Sequence, residues 1–215
     1  MNTNFSKVLE DLIQENAEKN IVPTLLLHSC CAPCSSYVLD YLSKYFKITV
    51  LYYNPNISPK SEYLKRKKEQ KRLIQEMQSI YPISIIDVDY DNSKYEEAIQ
   101  GLECEPERGR RCTVCFKLRL KKTAEVALIK NFDYFGTTLT VSPYKNAKLI
   151  NQIGLDLENT YGVHFLISDF KKGDGYKKSI LLSKKYHLYR QDYCGCKYSK
   201  QEREKRKKEE QKKES

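Results

Sequence analysis

Cysteine is the residue type in this chain with the most chemistry to offer, and five of the eight cysteines fall into two short groups. The segment HSCCAPCSSY carries Cys30, Cys31 and Cys34 directly after an apolar run and directly before a helical pattern. Cys112 and Cys115 form a Cys-x-x-Cys pair at the start of another helical pattern. Free backbone N–H groups at a helix start stabilise thiolates. Two such groups brought together would supply the ligands of a structural zinc ion or an iron–sulfur cluster.

The spacing of the cysteines bears on which centre is expected. Neighbouring residues on an extended strand point to opposite faces, so the adjacent pair Cys30 and Cys31 disfavours a single zinc ion. At a turn out of the strand, both thiols can reach a larger cluster, or a cluster and a neighbouring metal. In the segment CGC (residues 194–196) the glycine permits a tight turn, which suits either a strained, easily reduced disulfide or additional metal ligands. Cys104 is interpreted as an isolated thiol.

The elements that must position these cysteines alternate along the chain. Five runs rich in β-branched and aromatic residues predict buried strands over residues 24–29, 47–54, 83–90, 134–142 and 164–170. Helices are predicted over residues 35–45, 61–80, 112–130, 145–160 and 175–187, and the N-terminal segment is typical of a short amphipathic helix. This alternation predicts an α/β fold, Rossmann-like (HUP-like), with a mainly parallel sheet and flanking helices. We expect one catalytic domain over residues 1–200 and a basic tail, frayed or disordered, over residues 201–215.

Parallel sheets bind ligands outside the carboxyl ends of their strands, where the strand order switches. The cysteine-rich segment follows the first predicted strand. The later strands are followed by YNPNISP, DYDNSKY, TVSPYKN and DFKKGDGY. We therefore expect a cysteine-rich metal site at the C-terminal ends of the strands.

The net charge of +10 is unevenly distributed. Residues 60–72 carry a net charge of +5, residues 107–122 carry +6 and residues 200–215 carry +3, so the remainder is net −4. Concentrated positive charge favours a polyanionic partner, and nucleic acid is the commonest one. For the C-terminal run, whose lysines and glutamates are interleaved, a solvated helix face is an equally good interpretation.

The cellular compartment is predicted from the apolar stretches of the chain and from the charges near its N-terminus. No apolar stretch approaches the roughly twenty residues of a membrane span, and Glu10, Asp11 and Glu15 stand where a secretory peptide would be cationic or apolar. We expect a cytoplasmic protein without a membrane partner. Because thiols stay reduced in the cytoplasm, clustered cysteines there favour metal binding or redox catalysis.

A resemblance to a known family is carried by five segments, which are HSCCAPCSSYVL, YYNPNISPKSEYLKRK, EPERGRRCTVCFKLRL, FDYFGTTLTVSPYKNAKLIN and DFKKGDGYKKSILLSKKYHLYRQDYCGCKYS. From about Leu25 to Ser199 the chain resembles the cobalamin-independent epoxyqueuosine reductases, the QueH family. The resemblance implies a cytoplasmic enzyme that reduces epoxyqueuosine to queuosine at the wobble position of certain tRNAs. It also implies a four-iron, four-sulfur (4Fe-4S) cluster with an additional iron, or another divalent metal ion, beside it.

The resemblance also implies roles for the cysteines. Cys30, Cys31, Cys112 and Cys115 correspond to the cluster ligands. Cys34 stands where the family presents a cysteine or an aspartate to the additional metal, although exchanging it with Cys30 or Cys31 satisfies the same spacing. The redox pair Cys194 and Cys196, able to pass electrons to the centre, is predicted from the tight turn between them and not from the resemblance. The external electron donor is not identified by any motif.

Other site residues follow from the strand-end loops. The proton for the departing oxygen has three candidate sources, which are water on the metal, Tyr144 and Asp169. The chain departs from the family pattern at Arg108, where glycine is expected, and at Tyr144, where histidine is common. Tyr52, Tyr53 and Tyr144 are candidates for stacking on an extruded base. The residues predicted to contact tRNA phosphates are Arg66, Lys67, Lys68, Lys145, Lys171 and Lys172.

Two other functions compete with the reductase. A tRNA thiolase of the ATP-pyrophosphatase type needs a glycine-rich loop after the first strand to bind phosphate, and SCCAPCSS contains no glycine. A non-catalytic, zinc-stabilised RNA-binding module predicts one zinc ion per chain and no colour, whereas the reductase predicts a brown protein.

Overall fold

The computed structural model describes residues 3–214 and contains a five-stranded sheet. The strands are β1 (Thr24–His28), β2 (Lys47–Tyr52), β3 (Ser84–Asp87), β4 (Tyr134–Thr137) and β5 (His164–Phe165). Their order is β3-β2-β1-β4-β5, and every neighbouring pair is parallel. The predicted Rossmann-like α/β fold is confirmed. The strand order reverses between β1 and β4, which places the switch point beside the end of β1.

Helices flank the sheet on both faces. Within the described residues they are α1 (Phe5–Glu18), α2 (Ala32–Leu42), α3 (Lys60–Glu76), α4 (Ser93–Ala98), α5 (Arg110–Ile129), α6 (Ala147–Tyr161), α7 (Gly175–Lys185) and α8 (Lys197–Glu214). A short 3-10 helix, Thr138–Val141, follows β4. None of these helices combines the length and apolar character needed to cross a membrane.

The central strand β1 is buried on both faces because its side chains alternate between two hydrophobic clusters. Leu25 and Leu27 belong to a cluster with residues of α1, α2 and α3, whereas Leu26 belongs to a cluster with residues of α5 and α6. All three leucines are fully buried. An uninterrupted apolar run is what a strand covered on both faces requires, and it fixes the position of the cysteine segment that follows.

Some element ends differ from the sequence prediction. The predicted strand over residues 134–142 ends at Thr137, because the Thr137 hydroxyl accepts from the backbone N–H of Leu139 and begins the 3-10 helix. Only two residues of the predicted strand over residues 164–170 pair with β4. Helix α4 was not predicted, since six residues are too few to show a clear periodicity.

The C-terminal segment, expected to be frayed or disordered, is helical up to Glu214 and its first turns are attached to the rest of the protein. Glu202 pairs with Arg111 at 3.2 Å, and Arg206 pairs with Glu107 at 3.3 Å. Arg203 also pairs with an aspartate of the preceding loop at 3.2 Å. The attachment combines these ion pairs with the packing of Tyr198, whose ring lies against a small hydrophobic cluster and under the Arg111 guanidinium.

Candidate metal centre and RNA-binding cavity

The site begins at the last residue of β1. His28 is fully buried, and its ring bridges the neighbouring strands: Nδ1 lies 3.0 Å from Thr137 Oγ1 and Nε2 lies 3.2 Å from the Tyr53 carbonyl oxygen. Burial, followed by the positive charge of Arg119, lowers the pKa of His28 to about 3. A neutral imidazole thus joins the ends of β1, β2 and β4 at the switch point.

Immediately after this histidine, the chain turns and brings three thiols together. The Sγ atoms of Cys30, Cys31 and Cys34 all lie within 4.8 Å of one another, and those of Cys30 and Cys31 are 3.8 Å apart. Cys31 is the N-cap residue of α2, so the turn out of the strand places both adjacent thiols on one side. Hydrogen bonds from Cys31 and Cys34 hold the pKa of Cys30 well below its usual range, and donating to Cys30 raises the pKa of Cys31 to about 12. The three thiols are one coupled donor set.

The second cysteine group lies in the first turns of α5. Cys112 accepts a hydrogen bond from the backbone N–H of Arg108 at 3.3 Å and packs against the hydrophobic cluster that contains Cys30 and Cys31. Cys115 is buried in a different cluster, together with Cys196, and burial raises its pKa to about 12. Among the described residues, the compact thiol group holds only the three cysteines after β1. The two groups are neighbours, and the four-cysteine ligand set stays a prediction.

A buried arginine that the sequence reasoning did not single out lies between the cysteine groups. Arg119 is 1% exposed, and its Nε donates to the Cys115 carbonyl oxygen at 3.2 Å. Its Nη2 has no hydrogen-bond partner in the described structure. The guanidinium lies within electrostatic range of the thiols of Cys115, Cys194, Cys30 and Cys112. The sequence signal was its position four residues after Cys115, on the apolar face of α5.

The thiols open into a cavity of about 880 Å³, which we call the thiol cavity. Its walls come from the strand-end loops, the loop that precedes α8 and the first turns of α8 itself. The side chains that line it include Cys30, Cys31, Cys34, Arg108, Tyr144, Lys145, Arg190, Cys194, Glu202, Arg203 and Arg206. Part of the segment predicted to be a disordered tail is therefore a wall of the site.

Two predicted residues of the loop after β4 reach this cavity. Tyr144 lines it and is 60% exposed. Lys145 is partly buried. Burial lowers its pKa, but the neighbouring thiols of Cys194, Cys30 and Cys34 outweigh that effect and raise the pKa overall. Lys145 therefore places a positive charge beside these cysteines.

Asp169 lies in a different place from the other predicted catalytic residues. It borders a second cavity of about 610 Å³, the lysine cavity, together with Lys145, Lys171 and Lys172. Its carboxylate is 3.2 Å from the ammonium of Lys171. Of the predicted residues, only Lys145 lines both cavities.

The CGC segment is held by Arg66, a residue predicted to contact tRNA phosphates. Arg66 is 2% exposed, so its guanidinium is not available to a phosphate. It pairs with Glu62 at 2.7 Å and donates to the Cys194 carbonyl oxygen at 3.0 Å. Gly195 has φ +128°, and a Cβ there would lie 2.9 Å from Arg66 Nη1. The expected tight turn is present, and all eight thiols of the chain, Cys196 included, are free.

Two lysines on α3 remain for a tRNA surface. Lys68 is exposed, whereas Lys67 is half-buried and pairs with Asp87 at 3.4 Å. Arg66 lies on the opposite, inward face of the helix with Tyr63, and the basic run is therefore divided between the interior and the surface.

Comparison with known proteins agrees with this arrangement. A sequence model of the family described as "Epoxyqueuosine reductase QueH" matches residues 25–202. The chain belongs to the QueH family. It is 45% identical over 197 residues to the epoxyqueuosine reductase QueH of Staphylococcus epidermidis, covering 90% of this chain and 83% of that protein. It is 41% identical over 198 residues to the Streptococcus pyogenes protein of that name (91% and 78%), and 35% identical over 186 residues to that of Thermotoga maritima (84% and 92%).

The residues present fit the metal centre that the QueH family implies. Thiolates are the donors that iron–sulfur clusters take, and three thiols already lie within 4.8 Å of one another. A thiolate-ligated centre is anionic, and a buried anion needs compensating charge. Arg119, with its unpartnered Nη2, and Lys145 supply positive charge near these thiols.

Proposed function

We propose that this QueH family member reduces the epoxide of epoxyqueuosine, at the wobble position of tRNA, to queuosine. The observation that carries the proposal is the position of three converging thiols in the wall of a cavity of about 880 Å³, at the strand-order switch. The relatives are named for this activity, whereas no glycine-rich loop follows β1 to serve a thiolase. In the reaction, two electrons and two protons convert the epoxide to a carbon–carbon double bond and release its oxygen as water.

Four cysteines are proposed to hold a 4Fe-4S cluster, namely Cys30, Cys31, Cys112 and Cys115. Cys34 would hold an additional iron ion beside the cluster. When bound, such a centre supplies low-potential electrons and a Lewis acid for the epoxide oxygen. Support comes from the donor set and from the buried positive charges that face it.

The side chains of the cavity are proposed to bind the nucleoside and to supply its proton. Between the two side-chain candidates, Tyr144 is the better proton donor, because it lines the thiol cavity, whereas Asp169 lies in the lysine cavity and is paired with Lys171. Lys145 stabilises negative charge beside the thiols. A base must leave its stack to reach these groups, and single-stranded anticodon loops permit this at low cost.

Electrons are proposed to enter through the CGC segment. Cys194 lines the thiol cavity, and Cys196 lies beside Cys115 in a buried cluster. Oxidation of the two thiols to a disulfide would release two electrons, the number that one epoxide requires, and an external cytoplasmic donor would then reduce the disulfide again. The short segment between these cysteines supports this role.

The tRNA backbone is proposed to lie across lysines on two sides of the thiol cavity. Lys145, Lys171 and Lys172 surround the lysine cavity, where phosphates next to the modified nucleoside would bind. Lys67 and Lys68 of α3 would contact a more distant part of the tRNA. Arg66 is left out of this surface because it is buried.

A single-turnover assay tests the proposed function. Protein purified without oxygen is mixed with a chemical reductant and tRNA carrying epoxyqueuosine, and the nucleosides are then analysed by mass. We expect loss of one oxygen atom from epoxyqueuosine, and no conversion by the variant Cys34→Ala. Cys104→Ala, which changes an exposed cysteine outside the cavity, should convert the substrate like the wild type. Unchanged substrate with the wild-type protein would refute the activity.

A further inference from the structure

An arginine at the rim of the thiol cavity has a backbone conformation that glycine favours. Arg108, in the loop before α5, has φ +75°. Residues with a side chain seldom adopt this conformation, and where they do, the strain is often connected with function. Arg108 is exposed, so burial of its side chain does not account for the strain.

The contacts of Arg108 indicate what its side chain does. Its backbone N–H donates to Cys112, an interaction that any residue could make at this position. Among the side chains that the structure describes, its guanidinium has no carboxylate partner. It lies instead over the ring of Tyr144, 5.2 Å from the ring centroid. The side chain is thus used for one contact, made with an aromatic residue that is itself exposed.

Arg108 and Tyr144 come from two different loops, and both line the thiol cavity. A nucleoside that enters this cavity leaves its place in the RNA stack, and its neighbour then loses a stacking partner. Aromatic rings and guanidinium planes are the protein groups that replace such a partner in single-stranded RNA. The pair offers both kinds of surface at the mouth of the cavity.

We propose that Arg108 and Tyr144 form a stacking platform for the nucleobase next to the modified nucleoside. This inference rests on the proposed function, since it takes an anticodon loop as the ligand. The platform is a positioning element, and it is separate from the proton transfer proposed for the Tyr144 hydroxyl. Stacking requires only the ring, and Tyr144→Phe therefore separates the two roles.

The experiment measures binding of an unmodified anticodon stem-loop with 2-aminopurine next to the wobble nucleotide. We expect Arg108→Gly and Tyr144→Ala each to weaken binding about ten-fold and to lose the fluorescence quenching that reports stacking. Tyr144→Phe should bind and quench like the wild type. The double variant Arg108→Gly, Tyr144→Ala should bind more tightly than the product of the single effects predicts, because the two residues act together.

Two controls distinguish stacking from charge and from damage to the fold. Arg110→Ala removes the same charge from an exposed arginine that does not line the cavity, and it should weaken binding less than two-fold. Arg108→Gly should leave the thermal unfolding midpoint equal or higher, since glycine accepts φ +75° without strain. Equal weakening by Arg110→Ala and Arg108→Gly, or wild-type binding by Tyr144→Ala, would overturn the platform. Failure of the wild type to convert epoxyqueuosine would refute the proposed function instead and would leave these binding results interpretable.

Discussion

On the two basic helices, α3 and α5, the buried basic residues are all arginines, whereas the exposed ones are lysines and Arg110. Arg66, Arg111 and Arg119 face inward and are each 2% exposed or less, whereas Lys68 and Lys117 face solvent. Each inward arginine donates to a backbone carbonyl oxygen, that of Cys194, Glu103 or Cys115 respectively. The planar guanidinium suits this role, whereas a compact, strongly hydrated ammonium does not.

This difference shows that a basic run is not equivalent to a basic surface. The inward arginines contact the cysteine segments and α8, while the lysines remain exposed to solvent. Changes on the inner face should therefore affect metal content and stability, and changes on the outer face should affect only RNA affinity.

Replacing Arg119 by Met should remove most of the bound metal. We expect the iron content of Arg119→Met to fall at least about ten-fold, because a buried anionic centre loses its compensating charge. Arg119→Lys keeps the positive charge but loses the planar guanidinium with its several N–H donors. Its iron content should lie between those of the wild type and Arg119→Met. The measurement is iron and sulfide per chain, with Lys117→Met as the outward-facing control on the same helix.

In the metal-free protein, replacing Arg119 by Met should not reduce stability. Without the centre, Nη2 is buried and unpartnered, so Arg119→Met should unfold at the same or a higher denaturant concentration than the wild type. Wild-type iron content in Arg119→Met, or a loss of stability confined to the metal-free protein, would contradict an electrostatic role for this arginine.

Replacing Arg66 by Met should destabilise the protein by about 3 kcal/mol, because Glu62 and the Cys194 carbonyl oxygen lose a buried partner. The same change at Lys68 should stay within about 0.5 kcal/mol. Urea unfolding of the two variants compares the inner and outer faces of one helix directly. Equal effects at the two positions would show that the faces do not differ.

Glu202→Ala tests the attachment of α8 to α5. Glu202 accepts from Arg111 and from the backbone N–H of Glu107, and its removal leaves the buried guanidinium of Arg111 without this carboxylate. We expect a loss of about 1–3 kcal/mol and faster hydrogen exchange at the start of α8. Glu204→Ala, which changes an exposed glutamate two residues further along the helix, should change neither quantity. If the two variants behaved alike, α8 would not depend on this contact.

The smallest effect is expected on the outer face. Lys67→Gln with Lys68→Gln should weaken tRNA binding several-fold and reduce the slope of log K against log salt by about one to two, because each phosphate contact releases counterions. Turnover at saturating tRNA should not change. A slope equal to that of the wild type would show that these lysines form only a solvated face.

The strands and the cysteine turn could be predicted because both depend on local pattern. The apolar run of β1 requires cover on both faces, and the residues after it must then lie at the carboxyl edge of the sheet, where the three thiols are found. The parallel order of the strands followed from the alternation with helices. These features need no knowledge of distant contacts.

The features that were missed depend on tertiary contacts. Arg66 shares the inward face of α3 with Tyr63 and Leu73. One of its partners is the Cys194 carbonyl oxygen, more than a hundred residues away in the chain, so the burial of Arg66 could not be predicted without that tertiary contact. Helix α8 has no apolar stripe along its length, and its position follows from contacts of its first turns, namely the packing of Tyr198 and the ion pair of Glu202 with Arg111. Asp169 follows its strand as predicted, yet the loop turns it toward α1 and away from the thiols.

The central claim is that thiols from two distant parts of the chain, the loop after β1 and the start of α5, hold one iron–sulfur centre. Iron, zinc and acid-labile sulfide in protein purified without oxygen test it most directly. We predict about four to five iron atoms and about four sulfides per chain, unchanged in Cys104→Ala and lost in Cys112→Ala, whose tRNA affinity should persist. One zinc ion per chain without sulfide, or a full iron complement in Cys112→Ala, would contradict the account.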